Sequence, residues 1–354
     1  NEQITTSKPV PKSAKLGQTI FMIQPTQKIP YAHVSGQYDD HHVYNRQFWG
    51  EHLHHGLWLT GRETLSAAIE QLMNYVADQL NLGSTGGHVC DVGCGYGGTS
   101  RYLAMTRGWQ MTGLTISGRQ YDYATGENGE RHTGNPRFLL RNWEENNLDP
   151  NSFDGVVSIE CVSHVEDKQR FFDELYRVLK PGCRAVVIAW LAGDRPSRFN
   201  NNWLLEPICR EGRLPAMGTS LDYQRLVADA GLRLIRVEDL SRQVRKTWRV
   251  CIGKVAQTIL FSPVGWRFLF TTRSSHTVFV STLTRILAAY YCGAMKYGQF
   301  VMEKPACRPT PSRVPGPTLI GGGPGGSGLR FWQWFSRCRS LFAPFCWSRA
   351  TRPT

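Results

Sequence analysis

With 354 residues, 41% hydrophobic and 19% charged, the chain has a globular composition, enough for one large domain or two smaller ones; a fibrous or wholly disordered class is excluded. No run of about 18 apolar residues is present, so no transmembrane helix is expected. The net charge of +13 invites a nucleic-acid or anionic-membrane partner, but Pro305 to Thr354 carries seven Arg, no Lys and no acid, which leaves only +6 for the rest. No nucleic-acid partner is therefore expected of the body, while a basic, Trp-containing tail keeps peripheral membrane association open.

In chain order, residues 1–30 are polar, contain Pro9, Pro11, Pro25 and Pro30, and predict a loose arm. Between Glu63 and Leu82 the positions Leu65, Ala68, Ile69, Leu72, Met73, Val76, Ala77 and Leu80 recur at spacings of three and four, the period of an amphipathic helix. Short apolar runs then follow at His88–Val92, Met111–Ile116, Phe138–Leu140, Gly155–Ile159 and Arg184–Trp190, separated by helix-length segments. That rhythm predicts an α/β, Rossmann-like, mostly parallel sheet with helices on both faces. Lys180-Pro181-Gly182 ends the helix containing Phe171, Phe172, Leu175 and Val178. Residues 191–218 read as an insertion over a strand end, 222–234 as a helix leading into a strand Leu232–Leu240, 241–296 as helices covering a pocket, and Tyr297–Glu303 as a last strand. The main domain is thus expected over residues 31–304, and the Pro- and Gly-rich remainder, 305–354, is expected to be disordered.

Asn1 to Lys15 has no basic-flanked apolar core, so no signal peptide is read, with a removed presequence left open. The ten Cys form no CxxC pair, which favours reduced thiols and an intracellular setting, cytoplasmic or peripheral to a membrane. His52, His54 and His55 lack an accompanying acid or Cys cluster, so no metal is expected.

Chemistry concentrates at Val89-Cys90-Asp91-Val92-Gly93-Cys94-Gly95-Tyr96-Gly97-Gly98, a glycine turn between strand and helix. Glycine lets the backbone approach a ligand, and a helix beginning near Gly97 would present free N–H groups to a carboxylate or phosphate. Asp91 at the strand end suits a ligand ammonium, although a purely structural turn has the same pattern. A nicotinamide enzyme would place an acid about twenty residues on, to hold the ribose. Here the second strand ends Thr115-Ile116-Ser117 without one, leaving Thr115 and Gln120 as ribose partners or, for Thr115 and Ser117, as helix caps.

Glu160 and His164 follow the fourth strand, at the edge where open α/β sheets bind ligands. They are the candidate acid-base pair; a histidine base would make the rate rise through about pH 6 to 7. Tyr38, Trp49, His55, Trp190 and Trp248 supply the aromatic surface that an apolar acceptor needs, and each is equally ordinary core material.

The motifs Trp49-Gly50-Glu51-His52-Leu53-His54-His55-Gly56, the glycine turn, Gly113-Leu114-Thr115-Ile116-Ser117, Ser158-Ile159-Glu160-Cys161-Val162-Ser163-His164, Leu179-Lys180-Pro181-Gly182 and Lys246-Thr247-Trp248 span about residues 36 to 304. Together they resemble the class I methyltransferases of the tocopherol, sterol and cyclopropane-fatty-acid synthase group. The resemblance implies S-adenosylmethionine as cofactor and a small lipophilic acceptor such as a prenylated phenol, sterol or isoprenoid. An alkaloid-like amine acceptor, an NAD(P)-dependent oxidoreductase and a non-catalytic binding protein are the alternatives. It further implies that Asp91, Gly93 and Gly95 hold the methionine part, Thr115 and Gln120 the ribose, and Asn142 with Trp143 the adenine, a core or lid role being the alternative for Trp143. Asn142 stands where that group usually has Asp, and its amide oxygen can still accept from the adenine amino group.

Overall fold

In the computed structural model the described residues are 22–26, 50–83, 86–127, 134–261 and 274–306. Tyr38, Trp49 and the basic tail from residue 307 onward lie outside them. The chain divides into a unit Asn1–Arg308 and a second unit, Pro309–Thr354.

The first helix, α1 (Leu65–Leu80), buries the stripe its period predicts, Ala68, Ile69, Leu72, Met73, Val76, Ala77 and Leu80. Thr64 caps its start by accepting from the Ala67 N–H, and Asn81 closes it in the left-handed conformation. There follow β1 (His88–Val92), α2 (Gly98–Arg107), β2 (Gln110–Thr115), α3 (Gly118–Glu127), β3 (Arg137–Leu140), β4 (Phe153–Ile159), α4 (Lys168–Val178) and β5 (Leu179–Ala192). These strands pair in parallel, and β7 (Met295–Glu303) inserts antiparallel between β5 and β6 (Arg233–Asp239). The sheet order is β3-β2-β1-β4-β5-β7-β6. Strands covered on both faces read as near-continuous apolar runs, which is why the period change after residue 87 located them. The chain reverses order on either side of β1 and β4, so the carboxyl ends of those two strands border the crevice where such sheets take ligands.

The insertion after β5 forms a short helical stretch, a π-turn at Asn201–Leu205 and α5 (Glu206–Glu211), ahead of α6 (Ser220–Asp229). A capping box, Thr219 with Asp222, starts α6. The expected covering helices after β6 are a turn at Ser241–Val244, α7 (Lys246–Phe261) and α8 (Ser274–Tyr291). Among the described residues no helix is long and apolar enough to cross a membrane, and every cysteine is a free thiol.

One expectation is corrected. The arm predicted to be loose through residue 30 is docked at Met22–Thr26: Ile23 is buried and exchanges backbone hydrogen bonds with Met217 at 2.9 and 2.8 Å. The Thr26 hydroxyl donates to Glu206 at 2.9 Å. The proline spacing signals an absence of helix or sheet period, but it carries no information about an edge bridge to a residue nearly two hundred positions away. Ile23→Ala should cost about 2 to 4 kcal/mol of stability by chemical denaturation, the usual scale for truncating a buried isoleucine; an unchanged midpoint would show the arm to be undocked.

Candidate active site

At the carboxyl end of β1, Asp91 is buried and accepts a 2.7 Å hydrogen bond from the Ser100 hydroxyl, one turn into α2. Burial pushes its carboxyl up to about 6, with Ser100 opposing. A cation placed against it would be held strongly and would pull that value back down. Two glycines of the turn differ in what a side chain would meet. Gly93 has a φ of 78° and a Cβ there would run into the Cys161 side chain. Gly95 has a φ of 55°, and among the described residues a Cβ there would meet nothing within 4 Å. The first glycine lets the β1 exit pack against Cys161 after β4, and the second borders open space.

Arg101 ties this turn to its surroundings, donating to the Tyr96 carbonyl at 2.6 Å and to Glu51 at 3.0 Å, with the Tyr123 hydroxyl on the other Glu51 oxygen at 2.9 Å. At the β2 end, the Thr115 hydroxyl donates to Gln120 Oε1 at 2.7 Å and both residues are buried. Ser117 caps α3 by accepting from the Gln120 N–H at 3.1 Å. Capping and ligand-facing roles are therefore divided: Ser117 caps, while Gln120 has its amide oxygen engaged by Thr115.

At the β3 end Asn142 caps a 3-10 turn, its amide oxygen accepting from the Glu144 N–H at 3.1 Å. The expectation that this oxygen is reserved for an adenine amino group is thus modified, since one of its acceptor positions is already spent. Trp143, expected beside the adenine, is buried in the core with Phe171, its indole N–H donating to the Phe171 carbonyl at 3.1 Å. Packing, not cofactor contact, accounts for it. A cleft of about 540 Å³ opens beside Asn142, lined by Glu144, Glu145, Glu166 and Asp167; it shares no other residue with the expected site.

At the carboxyl end of β4, Glu160 organises a buried network around itself. It has a φ of 63°, a left-handed conformation that costs a non-glycine residue about 1 to 2 kcal/mol. Its carboxylate receives four hydrogen bonds: from the His55 backbone N–H and His55 Nδ1, both 2.8 Å, from the Tyr297 hydroxyl at 2.6 Å and from the Trp190 indole N–H at 2.9 Å. Burial alone would raise this carboxyl, but His55 and Tyr297 outweigh it and hold it down at about 2. The ring of His55 is itself closed in, because Nε2 accepts from the Trp248 indole at 2.6 Å and Tyr290 approaches at 3.4 Å. An indole can donate only to an unprotonated nitrogen, which puts the His55 proton on Nδ1, toward Glu160. Trp190, Trp248, Tyr290 and Tyr297 surround the imidazole at centroid distances of 4.7 to 5.9 Å.

Two expectations change. Glu160, expected as an acid-base group, is a saturated carboxylate that organises the wall, and His55, expected to line the acceptor, is 1% exposed and bound on both ring nitrogens. Burial, with the nearby Lys168 ammonium adding to it, lowers His164 to about 4. Its imidazole is therefore neutral across pH 6 to 7, and any protonation-linked fall in rate through His164 belongs near pH 4, not at 6 to 7. Residues that no sequence pattern singled out, Ser100, Arg101, Tyr290 and Tyr297, prove integral to these networks. Among the described residues no group of His, Cys, Asp and Glu is arranged to hold a metal.

Deleting the carboxylate with Glu160→Ala would strand three side-chain donors and one backbone donor in the interior. A loss of about 3 to 5 kcal/mol is expected, the scale for removing one partner of a buried charged network. Thermal and denaturant unfolding measure it; a loss under about 1 kcal/mol would mean that the network is not formed.

A profile of the "Methyltransferase domain" family matches residues 90–187. Among curated relatives, "Probable tocopherol O-methyltransferase, chloroplastic" of Oryza sativa subsp. japonica is 30% identical over 62% of this chain and 64% of that protein, so the match spans just under two thirds of the rice relative's length. "O-methyltransferase resE" of Aspergillus sclerotiorum is 30% identical over 63% of this chain and 83% of that protein. Among solved structures, a cyclopropane synthase of Mycobacterium tuberculosis superposes with a TM-score of 0.69 at 20% identity, covering 79% of this chain and all of that one, and shares the fold. With the glycine turn, the buried Asp91 and the reversed strand order already in place, the chain belongs to the class I S-adenosylmethionine-dependent methyltransferases.

Proposed function

We propose that the protein transfers the methyl group of S-adenosylmethionine to a small, lipophilic, phenol-bearing acceptor. The observation that carries the donor half is the pairing of a buried carboxylate, Asp91, with empty space over Gly95. Asp91 would hold the methionine ammonium, the turn from Gly93 to Gly95 its main chain, Thr115 and Gln120 the ribose, and Asn142 the adenine edge. When bound, the donor supplies an electrophilic methyl on a positively charged sulfur.

What remains for this chain's own residues is alignment, exclusion of water and proton removal. The aromatic wall of Trp190, Trp248, Tyr290 and Tyr297, stiffened by Glu160 and His55, supports an apolar ring system as the acceptor. The rice relative, named as a probable tocopherol O-methyltransferase, points to the same chemical class. An oxidoreductase reading lacks support, since Thr115, not an acid, ends β2. The deciding measurement is product analysis with labelled methyl donor across prenylated phenols, sterols, isoprenoids and amines; methylation confined to the amines would reject the phenol reading.

Donor binding gives a separate check by calorimetry. Gly95→Val fills the vacant space and strains a left-handed turn, so affinity should fall at least a hundredfold on folded protein. In the free protein Asp91 titrates near 6, and an ammonium binds the ionised form only. Affinity should therefore hold above about pH 7 and weaken roughly tenfold per unit as pH falls below about 5.5, until Asp91 in the complex also protonates. A flat profile from pH 5 to 8 would remove Asp91 from the site.

A further inference from the structure

The segment from Glu51 to Trp58 carries three histidines whose surroundings separate them. His52 lies over the start of α2, where a Cβ on Gly98 would meet its ring at 2.7 Å, and His55 is consumed by Glu160 and Trp248. His54 sits between them in the chain, with its ring centroid 5.5 Å from that of His52 and close enough to Glu160 to feel its charge. It thus lies between the donor turn and the carboxyl end of β4. The segment is pinned on both sides: the Leu57 N–H bonds the Ala68 carbonyl at 2.7 Å, and Thr247 receives the Gly56 N–H at 3.1 Å and the Trp58 indole at 2.9 Å. A Cβ on Gly56 would lie 2.6 Å from the Ala68 Cβ, so the close approach needs glycine.

His54 Nδ1 lies 2.8 Å from the His55 carbonyl oxygen, which only accepts, so Nδ1 carries the proton. Nε2 is left as a lone pair, and among the described residues this buried atom has no hydrogen-bond partner. An unmet acceptor in the interior is costly, and a ligand hydroxyl that donates to it removes the cost. The other nitrogens at this edge are not equivalent. His55 has both engaged; His52 Nδ1 is also buried without a partner, but its ring packs against Gly98; and His164, lowered by burial as His54 is, has the Lys168 ammonium adding to that lowering.

We propose that His54 Nε2 is the acceptor-side base, receiving the hydrogen bond of the acceptor hydroxyl and then its proton. The inference rests on the phenolic-acceptor reading above. The acceptor's oxygen uses a lone pair to form the new bond to the methyl carbon, and the carbon–sulfur pair leaves with sulfur. The O–H pair stays on oxygen and the proton ends on Nε2. One positive charge disappears at sulfur and one appears at His54, within reach of the Glu160 charge; His52 and His55 are the other titratable groups against it. Burial lowers His54, Glu160 partly restores it, and the ring is neutral when the acceptor arrives.

The test uses a tail-free chroman-6-ol and its 6-methoxy counterpart, titrated without donor into the wild-type chain, His54→Phe and His54→Gln, with turnover of the chromanol measured separately. The wild type should prefer the phenol about tenfold, one hydrogen bond's worth. His54→Phe keeps the volume and should lose that preference and turnover together. His54→Gln keeps an oxygen acceptor but no base, so it should retain much of the preference while kcat falls about a hundredfold or more. Retained preference in His54→Phe, or full turnover in His54→Gln, overturns the assignment, and the glutamine variant decides if the phenylalanine variant fails to fold. Equal wild-type binding of phenol and ether removes His54 alone, whereas binding of neither removes the phenolic acceptor and the inference with it.

Discussion

A carboxylate stripped of water is tolerable only if its oxygens are supplied with donors, and Glu160 draws its four from three distant stretches of chain. His55 comes from the segment before α1, Trp190 from β5 and Tyr297 from β7, and through His55 Nε2 the reach extends to Trp248 on α7 and Tyr290 near the end of α8. The covering helices are thereby located with respect to the sheet edge by directional bonds, not only by apolar contact, which fixes position less sharply. The strained backbone of Glu160 is small beside four charge-assisted hydrogen bonds of roughly 1.5 to 3 kcal/mol each, offset in part by the desolvation of the ion. Strain at this exit from β4 persists because the surrounding bonds over-determine it.

The same arithmetic divides the site into two kinds of residue. Groups whose polar atoms are fully matched within the protein, Glu160 and His55 above all, are committed to shape. Groups with capacity left over, Asp91 with the Ser100 hydroxyl as its donor, Gly95 with open space above it and His54 with a bare nitrogen, have something to offer a ligand. A burial-raised carboxyl and a burial-lowered imidazole express that commitment electrostatically: each gains when a ligand brings the charge or proton it lacks.

Legibility followed the range of the interaction. Strands β1 to β5 and α1 were readable because parallel-sheet burial and amphipathicity write their periods locally into a dozen residues. The glycine turn was readable for the same reason, its backbone demands falling within six residues. What could not be read was partnership. Nothing local distinguishes Trp143, whose indole meets the Phe171 carbonyl in the core, from Trp190, whose indole meets Glu160 at the site. Ile23 looked like part of a loose arm because its partner, Met217, is far away in sequence, and Tyr297 looked like one more strand residue until β7 placed its hydroxyl on Glu160.

The three neighbouring histidines show the limit most sharply. As letters, His52, His54 and His55 are interchangeable, and their clustering suggests at most a metal, for which the described residues contain no matching ligand set. In the fold each ring is assigned by what its nitrogens touch. One covers the turn at Gly98, one completes the Glu160 network, and one has its proton fixed by a backbone carbonyl and its remaining lone pair unspent. The chain bends at His54, and the adjacent rings of His54 and His55 meet different neighbours. The tight packing of Gly56 on Ala68 then holds that arrangement in place, so a residue with no chemistry of its own determines which histidine is left available for the acceptor.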